Sequence, residues 1–171
     1  MAGQGLTISN TTPVINLAEI GRLDILDGLF GEVVVPPAVV DELLAKEPLF
    51  PKAAEAARSG RFRVESPAGL LLARGFGGVL HAGESECLAL AMEHSGSLLL
   101  IDDLQARAFA AINGLTFTGT LGCLATAKSR GLIDAVAPLI DELRRSARFW
   151  ISSRLEARVL GEAGEAPEIG A

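Results

Sequence analysis

Side chains with oxygen ligands follow the segments of this chain that have strand character. Ligands of open parallel sheets bind beyond the carboxyl ends of the strands, so these positions are the first candidates for chemistry. The candidates are Asn10 after the β-prone run 6–9, Glu42 one turn into the helix after 33–35, Glu84 and Glu86 at the start of a later helix, and Asp102 and Asp103 after the apolar run 97–101. We expect these side chains to converge on one edge of the sheet.

Several carboxylates at one edge repel one another unless a cation lies among them. A cluster of oxygen ligands suits Mg²⁺ or Mn²⁺ rather than Zn²⁺. Such an ion lowers the pKa of a bound water, which makes that water a nucleophile at neutral pH. It also stabilises the charge that grows on a phosphoryl group during in-line attack. The acids therefore point to hydrolysis of a phosphodiester.

Each acid also has an explanation that requires no metal. Asp103 could cap the helix that follows it, and Glu84 and Glu86 could complement a helix dipole in the first turn. Asp41 and Glu42, taken singly, have the character of solvated helix acids. The residue pattern by itself predicts an α/β domain with a candidate acidic site.

Strand and helix signals alternate along most of the chain. The predicted strands are 6–9, 33–35, 62–64, 97–101 and 115–118. The predicted helices are one that begins at Pro13 with Thr12 as its N-cap, then 38–44, 51–58, 83–94, 104–113, 121–130, 133–145 and 154–160, the last with a capping box at Ser153–Glu156. Strands that alternate with helices of about ten residues predict βαβ crossovers and a mostly parallel, buried sheet.

A single domain accounts for the length of the chain. A length of 171 residues suits one core, and 49% hydrophobic residues are enough to fill it. We assign residues 1–160 to this domain. Residues 161–171, which are rich in Gly, Ala and Glu, are predicted to form a flexible C-terminal tail, and the Gly-rich stretch 75–78 is predicted to be a loop.

Composition argues against several classes of protein. No apolar run approaches the length that crosses a bilayer, and residues 1–5 lack the features of a secretion signal, so we expect a cytoplasmic protein with no membrane partner. Cys87 and Cys123 are predicted to be buried free thiols, and His81 and His94 are too few for a zinc cluster. A net charge of −6, from 15 basic and 21 acidic residues, argues against a broad basic surface for nucleic acid.

Five segments, taken in order, resemble the PIN-domain superfamily. They are "ISNTTPVINLAEIGRLDIL", "FGEVVVPPAVVDEL", "LHAGESECLALA", "LLLIDDLQARAFA" and "FTGTLGCLATAKSRGLI". The resemblance runs from about Leu6 to Leu160 and is strongest for a prokaryotic subfamily in which a strand is followed by Ser-Asn/Asp-Thr-Ser/Thr-Pro. It implies a PIN-like, Rossmann-like three-layer sandwich, in which helices flank a central, mostly parallel sheet.

The resemblance also implies an activity and a set of site residues. Members of this superfamily are metal-dependent ribonucleases, and many are the toxin of a toxin–antitoxin pair. Carried over to this chain, the catalytic and metal-binding positions are Asn10, Glu42, Glu84 or Glu86, and Asp103 with Asp102 beside it. Thr11 or Thr12 matches the hydroxyl residue that supports the first acid. Active members generally carry aspartate at the position of Asn10. Compared with aspartate, the asparagine keeps one carbonyl oxygen as a ligand, but it has no negative charge and cannot act as a base.

The first hypothesis is therefore a toxin-like endoribonuclease that binds Mg²⁺ or Mn²⁺ and uses a metal-bound water as its nucleophile. The second is a PIN-like module that binds nucleic acid or protein and has lost catalysis, which Asn10 and the negative net charge favour. A response-regulator-like phosphoacceptor is a third class, but its acid pair should follow the first strand, where this chain has Ser9 and Asn10. The resemblance further implies RNA as a partner, a homodimer, and an antitoxin protein that inserts into the acidic groove.

Two further features have alternative explanations. Five arginines near the C-terminus could contact RNA phosphates or an acidic partner segment, or could lie on solvated helix faces; they are Arg144, Arg145, Arg148, Arg154 and Arg158. Gly119 and Thr120 follow the last strand and could approach a bound phosphate, or could form a turn and a helix cap.

Overall fold

The computed structural model describes residues 5–69 and 78–165. Of the predicted Gly-rich loop at 75–78, only Gly78 falls within the described residues, where it lies in a turn.

A five-stranded parallel sheet forms the centre of the domain. Its strands are β1 (Thr7–Ser9), β2 (Val34–Val35), β3 (Arg63–Val64), β4 (Leu98–Leu100) and β5 (Thr116–Thr118). They lie in the order β3-β2-β1-β4-β5, and each neighbouring pair is parallel. The register pairs Ile8 with Val34 on one side and with Leu99 on the other. The predicted parallel α/β architecture is confirmed.

Helices flank this sheet and complete a three-layer α/β fold. In the described residues they are α1 (Thr11–Glu19), α2 (Asp24–Phe30), α3 (Pro37–Ala45), α4 (Pro51–Arg58), α5 (Ala82–Glu93), α6 (Leu104–Ile112), α7 (Thr120–Ser129), α8 (Ala137–Ser146) and α9 (Ser153–Glu162). Because helices cover the sheet, β2 and β4 are continuously apolar, and Ile8, Val35 and Leu99 are fully buried. The edge strand β3 is exposed.

The strand order reverses between β1 and β4. The chain passes from β1 outward to β3 and then returns to place β4 on the other side of β1. Backbone hydrogen bonds continue past the strand ends, from Asn10 N–H to Leu100 O at 3.0 Å and from Ile101 N–H to Thr118 O at 2.8 Å. A reversal of this kind leaves a crevice beyond the carboxyl ends of the strands, where ligands of such sheets bind.

Several element boundaries differ from those predicted. The N-cap of α1 is Asn10, not Thr12, so that Pro13 occupies the third helical position. Helix α2 was not predicted as a separate element; it follows Gly21, whose φ of 68° ends the preceding turn. The N-cap of α9 is Ser152, whose hydroxyl accepts from Leu155 N–H, so the capping box predicted at Ser153–Glu156 is wrong by one position.

The last helix continues past residue 160, the predicted end of the domain. Helix α9 continues to Glu162, and Glu165 accepts hydrogen bonds from Val136 N–H at 2.7 Å and Ala137 N–H at 2.9 Å. Lys128 Nζ lies 2.5 Å from the same carboxylate. Residues 161–165 therefore pack on the domain, because one side chain joins the ends of three helices. Residues 166–171 lie outside the described residues.

Both cysteines are buried free thiols, as predicted. Burial raises the pKa of the Cys123 thiol to about 12 and that of Cys87 well above its usual range, and nearby carboxylates act in the same direction. Both sulfurs are therefore neutral core groups. Within the described part of the chain, no helix is both long enough and apolar enough to span a bilayer.

Candidate active-site cleft

A cleft of about 750 Å³ opens beside the carboxyl ends of the strands. Its walls come from the starts of α1, α5 and α6 and from one face of α3. The lining residues are Thr12, Ala38, Glu42, Lys46, His81, Ala82, Gly83, Glu84, Asp102 and Asp103. Four of the predicted site acids therefore line one cleft, and Asn10 lies against its wall.

Asn10 places an unsatisfied acceptor at this wall. The residue is 4% exposed, and its Oδ1 has no hydrogen-bond partner in the described structure. A Cβ atom on Gly83 would lie 3.3 Å from Asn10 Oδ1 and 3.3 Å from Glu42 Oε2, so both oxygens face the same glycine. Buried acceptors are nearly always paired in folded proteins, and an orphaned one indicates a missing partner such as an ion or a water.

Two donors hold Glu42. Thr11 Oγ1 donates to Glu42 Oε2 at 2.7 Å, and Lys46 Nζ lies 2.5 Å from Glu42 Oε1. Burial raises the pKa of Glu42, but the hydrogen bonds from Lys46 and Thr11 outweigh it, and the net pKa is lowered. Glu42 is therefore ionised at neutral pH. Thr11 or Thr12 was predicted to support the first site position, which is Asn10. Thr11 instead donates to Glu42, and Thr12 lines the cleft.

Glu84 and Glu86 point in different directions. Glu84 is 9% exposed, lines the cleft, and accepts from His81 N–H at 3.0 Å. Burial raises its pKa, and the charges of Asp103 and Glu42 add to this effect against the hydrogen bond from His81. Glu86 instead accepts from Ala38 N–H at 3.0 Å, at the start of α3. The prediction of Glu86 as a ligand is therefore not supported, because residues two apart on a helix do not share a face.

Asp103 combines a helix-capping role with a place in the cleft lining. It is the N-cap of α6, where Oδ1 accepts from Ala106 N–H at 2.9 Å, and it also lines the cleft. The N-cap position holds the carboxylate in the cleft lining, because α6 begins only a few residues after the end of β4.

Asp102 is held by the chain itself through both oxygens. Thr120 donates its N–H to Oδ1 at 2.8 Å and its hydroxyl to Oδ2 at 2.6 Å. Asn16 Nδ2 donates to Oδ2 at 3.2 Å and to Thr120 Oγ1 at 3.0 Å. Gly119 permits this approach, since a Cβ there would overlap Asp102 Oδ1. These contacts give Asp102 a positioning role that joins the end of β4 to α1 and α7.

The donor chemistry of the cleft fits a hard divalent cation. Four carboxylates line it together with one lysine. Burial is the largest cause of the raised pKa of Glu84, and repulsion from Asp103 and Glu42 adds to it. Asn10 Oδ1 adds a neutral oxygen. The acids are nevertheless spread along the walls, and the described residues contain no group of three or more His, Cys, Asp or Glu side chains arranged to hold a metal ion.

Three residues of this site were not found from the sequence. Asn16 is 2% exposed within the apolar body of α1, and its burial is visible only in the fold. His81 precedes α5 and contributes a backbone donor. Lys46 could have been found, because a lysine four residues after Glu42 on a helix is a recognisable ion-pair spacing.

The other basic residues that the sequence singled out lie outside the cleft lining. Arg144 pairs with Asp141 and Glu156, and Arg145 pairs with Glu142 at 2.6 Å. Arg154 and Arg158 line a separate depression of about 230 Å³ with Ser152 and Leu155.

Comparison with known protein families adds an independent finding. A family model described as a PIN domain matches residues 6–165. The sequence matches none of the curated proteins with which it was compared. The match spans all five strands and every residue of the cleft.

Proposed function

The chain belongs to the PIN-domain family, and on this premise we propose that it is a Mg²⁺- or Mn²⁺-dependent endoribonuclease. PIN domains are generally nucleases that use divalent metals. The observation that carries the proposal is the unpartnered, buried Asn10 Oδ1 beside Glu42 in a cleft lined by four carboxylates. An oxygen-rich site of this kind selects magnesium or manganese over softer ions.

The residues that would hold the ion are Asn10, Glu42, Glu84 and Asp103. When bound, such an ion supplies an activated water and stabilises the charge on the phosphoryl group under attack. The chain positions the ligands. Thr11 orients Glu42, and the His81 backbone orients Glu84.

Asp102 helps to position these ligands without being one of them. Its two oxygens are occupied by Thr120 and Asn16, so it fixes the turn from which Asp103 enters the cleft. Gly83 lets α5 approach Asn10 and Glu42 closely, since any side chain there would enter the space in front of both oxygens.

The test is metal-dependent cleavage of single-stranded RNA by the purified protein. We expect cleavage with Mn²⁺ or Mg²⁺, none with EDTA, and at least a hundredfold loss in Glu42→Gln and Asp103→Asn, since an electrostatic contact at the reacting group is worth a factor of this order. Glu86→Gln is the matched control, because its carboxylate lies outside the cleft lining and caps α3. Absence of cleavage with either metal, together with no metal binding by titration calorimetry, would reject the proposal.

A second function is favoured by Asn10 and by the net charge of −6. An amide in place of a carboxylate weakens the attraction of the cleft for a cation, and a protein with this fold could bind RNA without cutting it. RNA binding that is unaffected by EDTA, with no product after long incubation, would identify this binding module.

We also propose the toxin of a toxin–antitoxin pair as the biological setting. The acidic cleft would then receive a basic segment of an antitoxin protein. The test is whether expression arrests bacterial growth and whether Asp103→Asn relieves the arrest; growth unaffected by the wild-type protein would count against the toxin.

A further inference from the structure

One cation already occupies the acidic cleft. Lys46 Nζ lies 2.5 Å from Glu42 Oε1, and the lysine side chain lines the cleft. Glu42 is one of the ligands named in the proposed function, and its other oxygen faces the same glycine as the unpartnered Asn10 Oδ1.

The backbone keeps this lysine within reach of Glu42. Lys46 is the C-cap of α3, and its N–H donates to Glu42 O at 3.1 Å, so the two residues lie one helical turn apart. The lysine side chain is 41% exposed and that of Glu42 is 33% exposed. A long, half-exposed side chain can turn into solvent without any movement of the helix.

A divalent ion and the ammonium group cannot both occupy Glu42 at close range. The ammonium neutralises the carboxylate that an ion would use and repels the ion directly. Glu84 and Asp103 have no lysine partner among the described contacts: Glu84 accepts from the His81 backbone N–H, and Asp103 accepts from Ala106 N–H.

We propose that Lys46 is a competing cation that holds Glu42 when metal is absent and must leave it before a divalent ion binds. The inference rests on the proposed metal site. Together with Asn10, it makes this cleft a weaker metal site than its number of carboxylates suggests, because one ligand lacks a charge and another is already paired.

The experiment is calorimetric titration with MnCl₂ of the full chain and four variants. Lys46→Gln and Lys46→Met remove the charge, and the first keeps a polar head in case the second is poorly folded. Lys46→Arg keeps the charge. Lys52→Gln is the matched control, because Lys52 donates to Glu19 O at the C-terminal end of α1 and does not line the cleft.

We expect Lys46→Gln and Lys46→Met to bind Mn²⁺ with a Kd lower by on the order of tenfold, as removal of one nearby unit charge predicts. Lys46→Arg and Lys52→Gln should keep the wild-type Kd. In thermal melts, saturating Mn²⁺ should raise the Tm of Lys46→Gln by more than it raises that of the wild type, because metal binding to the native state is tighter.

The outcomes separate the two proposals. An unchanged or higher Kd in Lys46→Gln, with measurable binding by the wild type, overturns the competition and leaves the metal site standing. Binding by Lys46→Gln but not by the wild type supports the competition. No binding by any variant overturns both proposals.

Discussion

Thr120 satisfies both oxygens of Asp102, one with its backbone N–H at 2.8 Å and the other with its hydroxyl at 2.6 Å. The pair joins the end of β4 to the start of α7, and Asn16 of α1 closes the network from behind. Asp102 follows a strand, as a metal ligand would, but its hydrogen bonds give it a structural role: it links the elements that form the cleft.

Thr120→Val should destabilise the protein by about 1.5–3 kcal/mol, because it removes a hydrogen bond to a charged group and leaves a carboxylate oxygen short of a donor. Urea denaturation measures the change. Thr126→Val is the matched control, since the hydroxyl of Thr126 donates to Gly122 O of its own helix and not to a charged group of the described chain. A loss in Thr120→Val no larger than in the control would contradict this account.

Gly83→Ala should impair metal binding more than stability. The new methyl group would lie 3.3 Å from Asn10 Oδ1 and from Glu42 Oε2, and 3.2 Å from Val39 Cγ2, so those groups must shift. We expect a several-fold higher Kd for Mn²⁺ by calorimetry. Gly161→Ala, which places its methyl group in open space near the end of α9, should leave the Kd unchanged and stabilise the protein by up to about 1 kcal/mol.

Asn10→Asp should make stability depend on metal. A carboxylate at this 4% exposed position adds a charge beside Glu42, so the Tm should fall in EDTA. With Mn²⁺ the same charge becomes a ligand, and the Tm should rise by more than in the wild type. Asn113→Asp, at an exposed position, should show no such metal-dependent gain. An equal Mn²⁺ response in Asn10→Asp and the wild type would argue that this position does not face the ion.

Glu165→Gln should lower stability at neutral pH and flatten its acid dependence. Burial raises the pKa of Glu165, but Lys128 and the N–H groups of Ala137 and Val136 outweigh it, and the net pKa lies below the ordinary 4.5. A lowered pKa in the native state stabilises the protein above the unfolded-state pKa, and this contribution is lost as the pH falls through the native value.

We therefore expect a wild-type advantage of about 1–3 kcal/mol at pH 7, from the hydrogen bonds to a charged group, that shrinks as the pH falls below about 4.5. Urea denaturation at several pH values measures it. Glu162→Gln, at the exposed last residue of α9, is the control. If the difference between wild type and Glu165→Gln is the same at pH 7 and at the lowest pH that supports the fold, the carboxylate is not the source of the stabilisation.

The sequence alone was sufficient for the parallel sheet and for most of its helices. Apolar runs such as 97–101 without alternation, separated by helical segments, admit few arrangements other than a sheet covered on both faces. The same local logic placed Asn10 and Asp103 directly after strands, because the residue that follows a strand lies at the sheet edge whatever the tertiary detail.

The helix boundaries that were predicted wrongly lie where neighbouring residues of similar type could each take the capping position. Ser152 and Ser153 are equally good caps by type, and only the packing of α9 decides that Ser152 takes the position and leaves Glu156 to Arg144. Likewise, Glu165 is an ordinary tail residue in the sequence. It becomes part of the domain because Lys128 and two backbone donors converge on it.

Residue types and spacing determined that the sheet has an acidic edge. The direction in which each acidic side chain points was decided only by the tertiary structure. Glu84 and Glu86 differ by two positions, yet one faces the cleft and the other caps α3, since a helix turns by about 200° between them. Asp102 and Asp103 are adjacent, yet Asp102 accepts hydrogen bonds from Thr120, whereas Asp103 lines the cleft. Such choices depend on donors far away in the chain, and those donors meet the acids only when the sheet and its helices have formed.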